Sequence, residues 1–216
     1  MDKIFTMSGH VQKSLINDYG ISQNKIRVIG AGPNIDTIPQ QEDKAYKSPT
    51  ILFVGKSFKP KGGEVLLSAF QRVRKKIPSA KLVIVGPRET IQGQGIIFKG
   101  WVHFREMPNL YRGASIFVLP TLREAFGISY LEAMAHQLPC IGTEIQAIPE
   151  IIDNGRTGFI VPLLNEKELS DRILTLLYNE DLMKKMGSKG YQRIKKHFNW
   201  DLVASKIIKE IRSTLN

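Results

Sequence analysis

Two carboxylates with seven residues between them bracket a glycine in the run Glu124-Ala-Phe-Gly-Ile-Ser-Tyr-Leu-Glu132-Ala-Met134. Ile116 to Pro120, just before it, reads as a buried strand, Thr121 to Gly127 as a loop, and Ser129 to His136, free of Gly and Pro, as a helix. Glu124 therefore falls on the loop and Glu132 about one turn inside the helix. The N–H groups of Phe126, Gly127 and Ile128 lie at the helix N-terminus, where unpaired donors and the positive end of the dipole favour an anion. Gly127 lets that anion come close. The rest of the helix offers Leu131, Ala133, Met134 and Ala135, which leaves Glu132 as a lone charge in an apolar stretch, and a buried carboxylate needs a hydrogen-bonding partner. The vicinal hydroxyls of a ribose would supply one, so the run suits a phosphorylated sugar. Glu144 and Glu150 flank later turns, where capping of an Ile148 to Asp153 helix is sufficient explanation.

A second motif, Gly55-Lys-Ser-Phe-Lys-Pro-Lys-Gly-Gly63, follows the strand Ile51 to Val54 and precedes a helix, at the carboxyl edge where open α/β sheets bind ligands. Lys56 and Lys61 both reach that edge. The spacing fits neither a Walker loop nor the G-x-G-x-x-G fingerprint. A basic strand-to-helix loop alone is ordinarily a solvated turn, but the carboxylate run at the same edge favours a site. Gly86-Pro87 and Gly100-Trp-Val102 end two further strands there. Trp101 and Val102 are placed to flank a flat ring, although Trp101 reads equally well as core. His103, without a visible partner, reads as a surface imidazole.

The elements that hold these loops alternate. Lys25 to Ile29, Ile51 to Val54, Lys81 to Val85, Ile96 to Lys99, Ser115 to Leu119, Cys140 to Gly142 and Phe159 to Val161 read as strands. Gly62 to Lys76, Glu106 to Arg112, Ser129 to His136 and Ile148 to Asp153 read as helices. Strands apolar throughout belong in a parallel sheet covered on both faces, and the expected fold is a doubly wound, Rossmann-like α/β domain. Met1 to Asp36, with one helix (about Val11 to Tyr19) and one strand, resembles the end of a preceding domain, and Gln40 to Pro49 resembles a linker. Glu166 to Asn216 carries three helices, the last with an apolar stripe of Leu202, Val203, Ile207, Ile208 and Ile211. The expected division is therefore 1–47 as a remnant plus linker, 48–200 as the Rossmann-like domain, and 201–216 as a terminal helix.

The 216 residues and 42% apolar content suffice for a substantial core, and the apolar runs are too short to cross a bilayer. A cytoplasmic chain without a signal peptide is expected. Cys140, the single cysteine, reads as a packed small hydrophobe, and four scattered histidines argue against zinc. The net charge of +11 is uneven: Lys56 to Arg88 holds nine basic residues against Glu64. Arg72, Arg74, Lys75 and Lys76 read best as a helix end complementing its dipole, and contact with an anionic membrane stays open. Nucleic acid is not an expected partner, because interleaved surface aromatics and reader motifs are missing.

Four ordered motifs resemble the C-terminal half of glycosyltransferase family 4, retaining enzymes of GT-B fold: Glu124-x(7)-Glu132, the Gly55-Lys56…Lys61-Gly62 loop, Gly100-Trp-Val102, and Pro149 to Pro162 with its Asn154-Gly155-x-x-Gly158 centre. The resemblance covers about Ser48 to Asn216. It implies a nucleotide-sugar donor held by Gly55, Lys56, Lys61, Gly86, Val102, Glu124, Phe126, Gly127, Ile128 and Glu132. Lys56 and Lys61 would hold the diphosphate and stabilise the leaving nucleotide, Glu124 would contact the sugar beside its anomeric carbon, Val102 would lie against the base, and Glu132 would accept from the ribose. Lys56 stands where family members often carry Arg, which keeps charge without bidentate geometry. The resemblance implies no metal and no cofactor, a glycan or lipid acceptor, and work at an inner membrane face.

The family's acceptor-binding N-terminal domain is represented here only by its last strand and helix. Met1 is accordingly read as the start of a fragment or a truncated product, and donor binding with little transfer is expected of this chain alone. The alternative is a non-catalytic nucleotide-sugar-binding module or a subunit that needs a partner chain. The terminal stripe would then be partly exposed.

Overall fold

A computed structural model describes residues 3–41, 44, 46 and 48–215. Parts of the expected linker, residues 42, 43, 45 and 47, lie outside the described residues, as do the chain ends at 1, 2 and 216. The chain opens with β1 (Ile4–Thr6), α1 (Gly9–Asn17) and β2 (Ile26–Val28). It continues through β3 (Thr50–Val54), α2 (Gly63–Lys76), β4 (Lys81–Val85), β5 (Ile96–Gly100), α3 (Met107–Gly113), β6 (Ile116–Leu119), α4 (Ile128–Ala135), β7 (Cys140–Thr143), α5 (Ile148–Ile151) and β8 (Gly158–Val161). The helices α6 (Glu166–Leu177), α7 (Glu180–His197) and α8 (Trp200–Leu215) follow.

Six strands form one parallel sheet in the order β5-β4-β3-β6-β7-β8. Ile51, Leu52 and Phe53 of β3, Ile116, Phe117 and Val118 of β6, and Cys140 and Ile141 of β7 are completely buried, as strands covered on both faces must be. α2 packs beside α6, and α4 packs beside α7. From β3 the chain builds outward to β4 and β5, then crosses back to lay β6 on the other side of β3. The winding reverses between β3 and β6, and the crevice at their carboxyl ends is where such sheets accept ligands. This is the doubly wound parallel fold expected from the strand pattern, with extra C-terminal helices.

Helix positions follow local chemistry. On α2, Val65, Leu66, Ala69, Phe70 and Val73 turn one face to the core. Arg74, Lys75 and Lys76 occupy its last turn, where cations meet the negative dipole end. Asn165 and Asn179 cap α6 and α7 through the N–H groups of Glu168 and Leu182.

The amino-terminal region departs from expectation. It holds two strands, β1 and β2, paired in parallel, and not one. A three-residue strand is too short to show a period. Glu150 also does more than cap its own helix: its carboxylate accepts from the N–H groups of Gly9 and His10, both at 2.8 Å. It thereby joins Ser8, whose hydroxyl accepts from Val11 N–H, in capping α1 from the far side of the molecule. α8 lies on the same region. Glu210 pairs with Arg27 at 2.9 Å, Lys206 donates to the Ile29 carbonyl at 3.1 Å, and the Trp200 indole donates to the Pro33 carbonyl at 3.1 Å. Val203 of the apolar stripe is buried, while Ile208 and Ile211 are each 49% exposed.

Candidate functional site

The β3–α2 loop (residues 55–62) and the β6–α4 loop (residues 120–127) meet over the reversal point. Gly62 makes the meeting possible. It caps α2 in a left-handed conformation (φ 75°), and a Cβ there would sit 1.8 Å from the Pro120 carbonyl oxygen. Two hydrogen bonds hold the loops together, Leu122 N–H to the Pro60 carbonyl at 3.0 Å and the Thr121 hydroxyl to the same oxygen at 3.4 Å. Below them, the buried Thr143 hydroxyl donates to the Thr121 carbonyl and the buried Tyr130 hydroxyl to the Leu119 carbonyl, so that β7 and α4 fix where the second loop leaves β6. The Gln146 side chain accepts from Glu124 N–H.

This scaffold brings Lys61 and Glu124, 63 residues apart in sequence, to a 2.6 Å ion pair. The two side chains are 25% and 12% exposed, so the pair is only partly screened by water. Lys56 stands exposed at the same mouth. Gly127 caps α4 with φ 109°, and a Cβ there would strike the Tyr130 ring at 2.8 Å. Among the described residues, the N–H groups of Phe126, Gly127 and Ile128 donate to no protein acceptor, which leaves a set of unpaired donors at the start of α4, in residues that line the cleft. The Phe126 side chain turns inward against Phe198. At the neighbouring strand ends, Gly55 N–H donates to Val85 O at 2.9 Å and Gly86 N–H to Gly100 O at 2.7 Å.

All ten residues singled out in the sequence line one open cleft of about 710 Å³. Trp101 is 75% exposed, which rules out its reading as core, and Val102 is half-buried against the core beside it. His103 does have a partner. Its Nδ1 accepts from Arg105 N–H at 3.3 Å, and its ring lies between those of Trp101 and Phe104. Cys140 is fully buried, and burial pushes its thiol well above the usual range.

The sequence did not reveal what holds Glu132. Its Oε2 accepts from the Tyr111 hydroxyl at 2.7 Å, and the nearby Asn34 backbone N–H also favours its charged form. Burial raises the pKa of this carboxyl, while the Tyr111 and Asn34 donors pull it back. Tyr111 is completely buried, with its ring stacked on His136 at 5.1 Å, and burial plus the Glu132 charge keep its phenol protonated. Met7 and Asn34 also line the cleft, so the amino-terminal segment contributes to it. Of these, only Tyr111 carried a sequence signal, an aromatic with a polar tip inside an otherwise ordinary amphipathic helix.

The family model described as glycosyl transferases group 1 matches residues 48–179. The chain is 27% identical over 225 residues to the capsular polysaccharide biosynthesis glycosyltransferase CapM of Staphylococcus aureus, covering 93% of this chain and 58% of that protein. It is 29% identical over 191 residues to the phosphatidyl-myo-inositol mannosyltransferase of Mycobacterium leprae, with 82% and 51% covered. In fold it superposes on a TarM variant from S. aureus, solved with fondaparinux, alpha-GlcNAc-glycerol and UDP, at a TM-score of 0.84 and 18% identity over 96% of this chain and 43% of that one. The chain spans about half the length of the curated relatives it matches.

Proposed function

The chain belongs to the group 1 glycosyl transferases, and from that premise we propose that it is the donor-binding half of a retaining enzyme that moves a sugar from a nucleoside-diphosphate sugar to a glycan or lipid acceptor. One observation carries the proposal: at the sheet's reversal point, two lysines, a row of unpaired backbone donors and two carboxylates face the same cleft. Lys56, Lys61 and the Phe126 to Ile128 N–H groups supply positive charge where a diphosphate leaves, which is the largest electrostatic demand of such a transfer. They take the place of a metal. Glu124, oriented by Lys61, faces the sugar, Glu132 accepts from the ribose, and Val102 lies against the base.

The mouth of the cleft is open, and a reacting centre with one wall neither excludes water nor orients an acceptor. We therefore assign donor binding to residues 48–200 and little transfer to this chain alone. Residues 1–47 are assigned to the end of an acceptor-binding domain and 201–216 to a helix that returns to it, in keeping with the contacts of α8 with Arg27, Ile29 and Pro33. Among the described residues no helix is long and apolar enough to cross a membrane. Work in the cytoplasm at an inner membrane face is part of the proposal.

Calorimetric titration with UDP, GDP and ADP, followed by the matching nucleotide sugars, tests this reading. Saturable binding of one nucleotide, weakened at least about ten-fold in both Glu132→Ala and Lys61→Ala, is the expected result. Binding undiminished in both variants would place the nucleotide elsewhere. Absence of binding in this chain and also in a longer one that includes the preceding domain would overturn the reading.

A further inference from the structure

We infer that Tyr111 is the positioning residue of the nucleotide site: its hydroxyl fixes Oε2 of Glu132 and so aims the carboxylate at the hydroxyls of a bound ribonucleotide. The inference rests on the donor-site reading above and extends it to a residue 21 positions earlier in the chain, on a different helix.

The geometry is specific. Glu132 projects from the second turn of α4, and α3 supplies the only side-chain donor to its carboxylate among the described residues. The tyrosine is completely buried between Phe117 and the parallel ring of His136, 17° from coplanar, which leaves its hydroxyl a single direction. His136 is itself tied to the Glu132 carbonyl through Nδ1 at 2.8 Å, so that ring, helix and carboxylate form one closed unit. Lys44 adds a brace from outside, donating to the carbonyls of Tyr111 and Arg112 at 3.1 and 2.9 Å at the end of α3. A half-buried carboxylate with Tyr111 as its one side-chain donor and the Asn34 backbone N–H beside it keeps acceptor capacity for a ligand that brings its own hydroxyls. A phenol is also a donor that does not ionise in this place, because burial and the neighbouring carboxylate both hold its proton on.

Besides Tyr111, the charged and titratable groups around this carboxylate include Arg112 from α3 and His136 from α4, which line the same pocket. Asp36 and Lys44 precede β3, Lys56 and Lys61 lie on the β3–α2 loop, Glu124 lies on the β6–α4 loop, and His103 and Arg105 lie in the turn before α3. None of these others donates to its side chain among the described residues.

Tyr111→Phe removes the donor and keeps the ring. Two measurements on the full chain test the inference. A carbon-13 titration of the glutamate carboxyls follows Glu132, assigned by its loss in Glu132→Gln; its midpoint is expected to move upward in Tyr111→Phe, because burial then acts with less opposition. Calorimetry with the cognate nucleoside diphosphate is expected to show binding about ten-fold weaker in Tyr111→Phe, as for a lost hydrogen bond to a charged group. The loss should vanish when the same change is made in a Glu132→Gln background, since Tyr111 acts only through that carboxylate. 3-Fluorotyrosine at position 111, a stronger donor of nearly the same size, should move the Glu132 midpoint in the opposite direction and covers the case in which Tyr111→Phe does not fold. An unmoved Glu132 midpoint in both variants, or an equal loss of binding in the Glu132→Gln background, would overturn the inference. A midpoint that moves in a protein whose wild type binds no nucleotide, alone or in a longer chain, would uphold the hold of Tyr111 on Glu132 and remove the donor site from the reading.

Discussion

Gly62→Ala tests whether the contact between the two loops builds the site. Two costs add at this position. A left-handed backbone costs a side-chain-bearing residue about 1–2 kcal/mol. The new methyl would also lie 1.8 Å from the Pro120 carbonyl oxygen, a backbone atom that cannot rotate aside, so one loop must move off the other. We expect a loss of at least about 2 kcal/mol, which for a chain of this length is a fall in melting temperature of about 4–8 °C. The separation should also break the bridge between Lys61 and Glu124, which tolerates little movement at 2.6 Å. Gly113→Ala is the matched control: Gly113 is exposed, has no positive φ, and a Cβ there meets nothing within 4 Å. It should leave stability within about 0.5 kcal/mol of the wild type. Urea and thermal unfolding of both variants, read by circular dichroism, decide the matter. If Gly62→Ala proved as stable as Gly113→Ala, the close approach at Pro120 would not be the joint of the site.

Glu150→Ala should cost about 1–2 kcal/mol, as for loss of a helix cap with charge-assisted bonds, and hydrogen exchange should quicken through residues 4–28 while β3 to β8 stay protected. Lys44 gives a pH signature with a definite sign. Burial, aided by Arg112, lowers its folded value to about 8 from 10.5, so the charged form costs stability below pH 8 and that cost is relieved as pH rises from 8 to 10.5. The wild type should therefore show a component of unfolding free energy that increases over this interval and is absent from Lys44→Gln in denaturant titrations at stepped pH. The Cys140 thiol, buried beside the Leu138 and Tyr130 carbonyls, should resist a thiol reagent at pH 8 in the native protein and react in full in denaturant.

Much of the fold was written in local pattern. Uninterrupted apolar runs such as Ile51 to Val54 and Ile116 to Leu119 declare strands buried on both faces, and the helices between them make a parallel, doubly wound sheet nearly obligatory. The loops after those strands were marked as a site by chemistry that is itself local: lysines beside glycine, and glutamates flanking a helix start. The burial of Cys140 was legible for the same reason, since an apolar stretch states that it seeks cover.

What the sequence left open was every relation between elements distant along the chain. Strand order decides that β6 returns beside β3, and only that return brings Lys61 within 2.6 Å of Glu124. The bond from Tyr111 to Glu132, and that from Glu150 to Gly9 and His10, join residues 21 and about 140 positions apart. No residue spacing encodes such pairs, because a hydrogen bond depends on where packing sets two side chains in space. Trp101 shows the same limit from the other side: a large aromatic after a strand end satisfies either a core or a surface, and only the folded edge, which leaves it 75% exposed, chose between them. Sequence by itself determined the kind of sheet and the chemistry along its carboxyl edge; tertiary structure determined which of those groups meet, because contact between remote residues is a property of the packed chain.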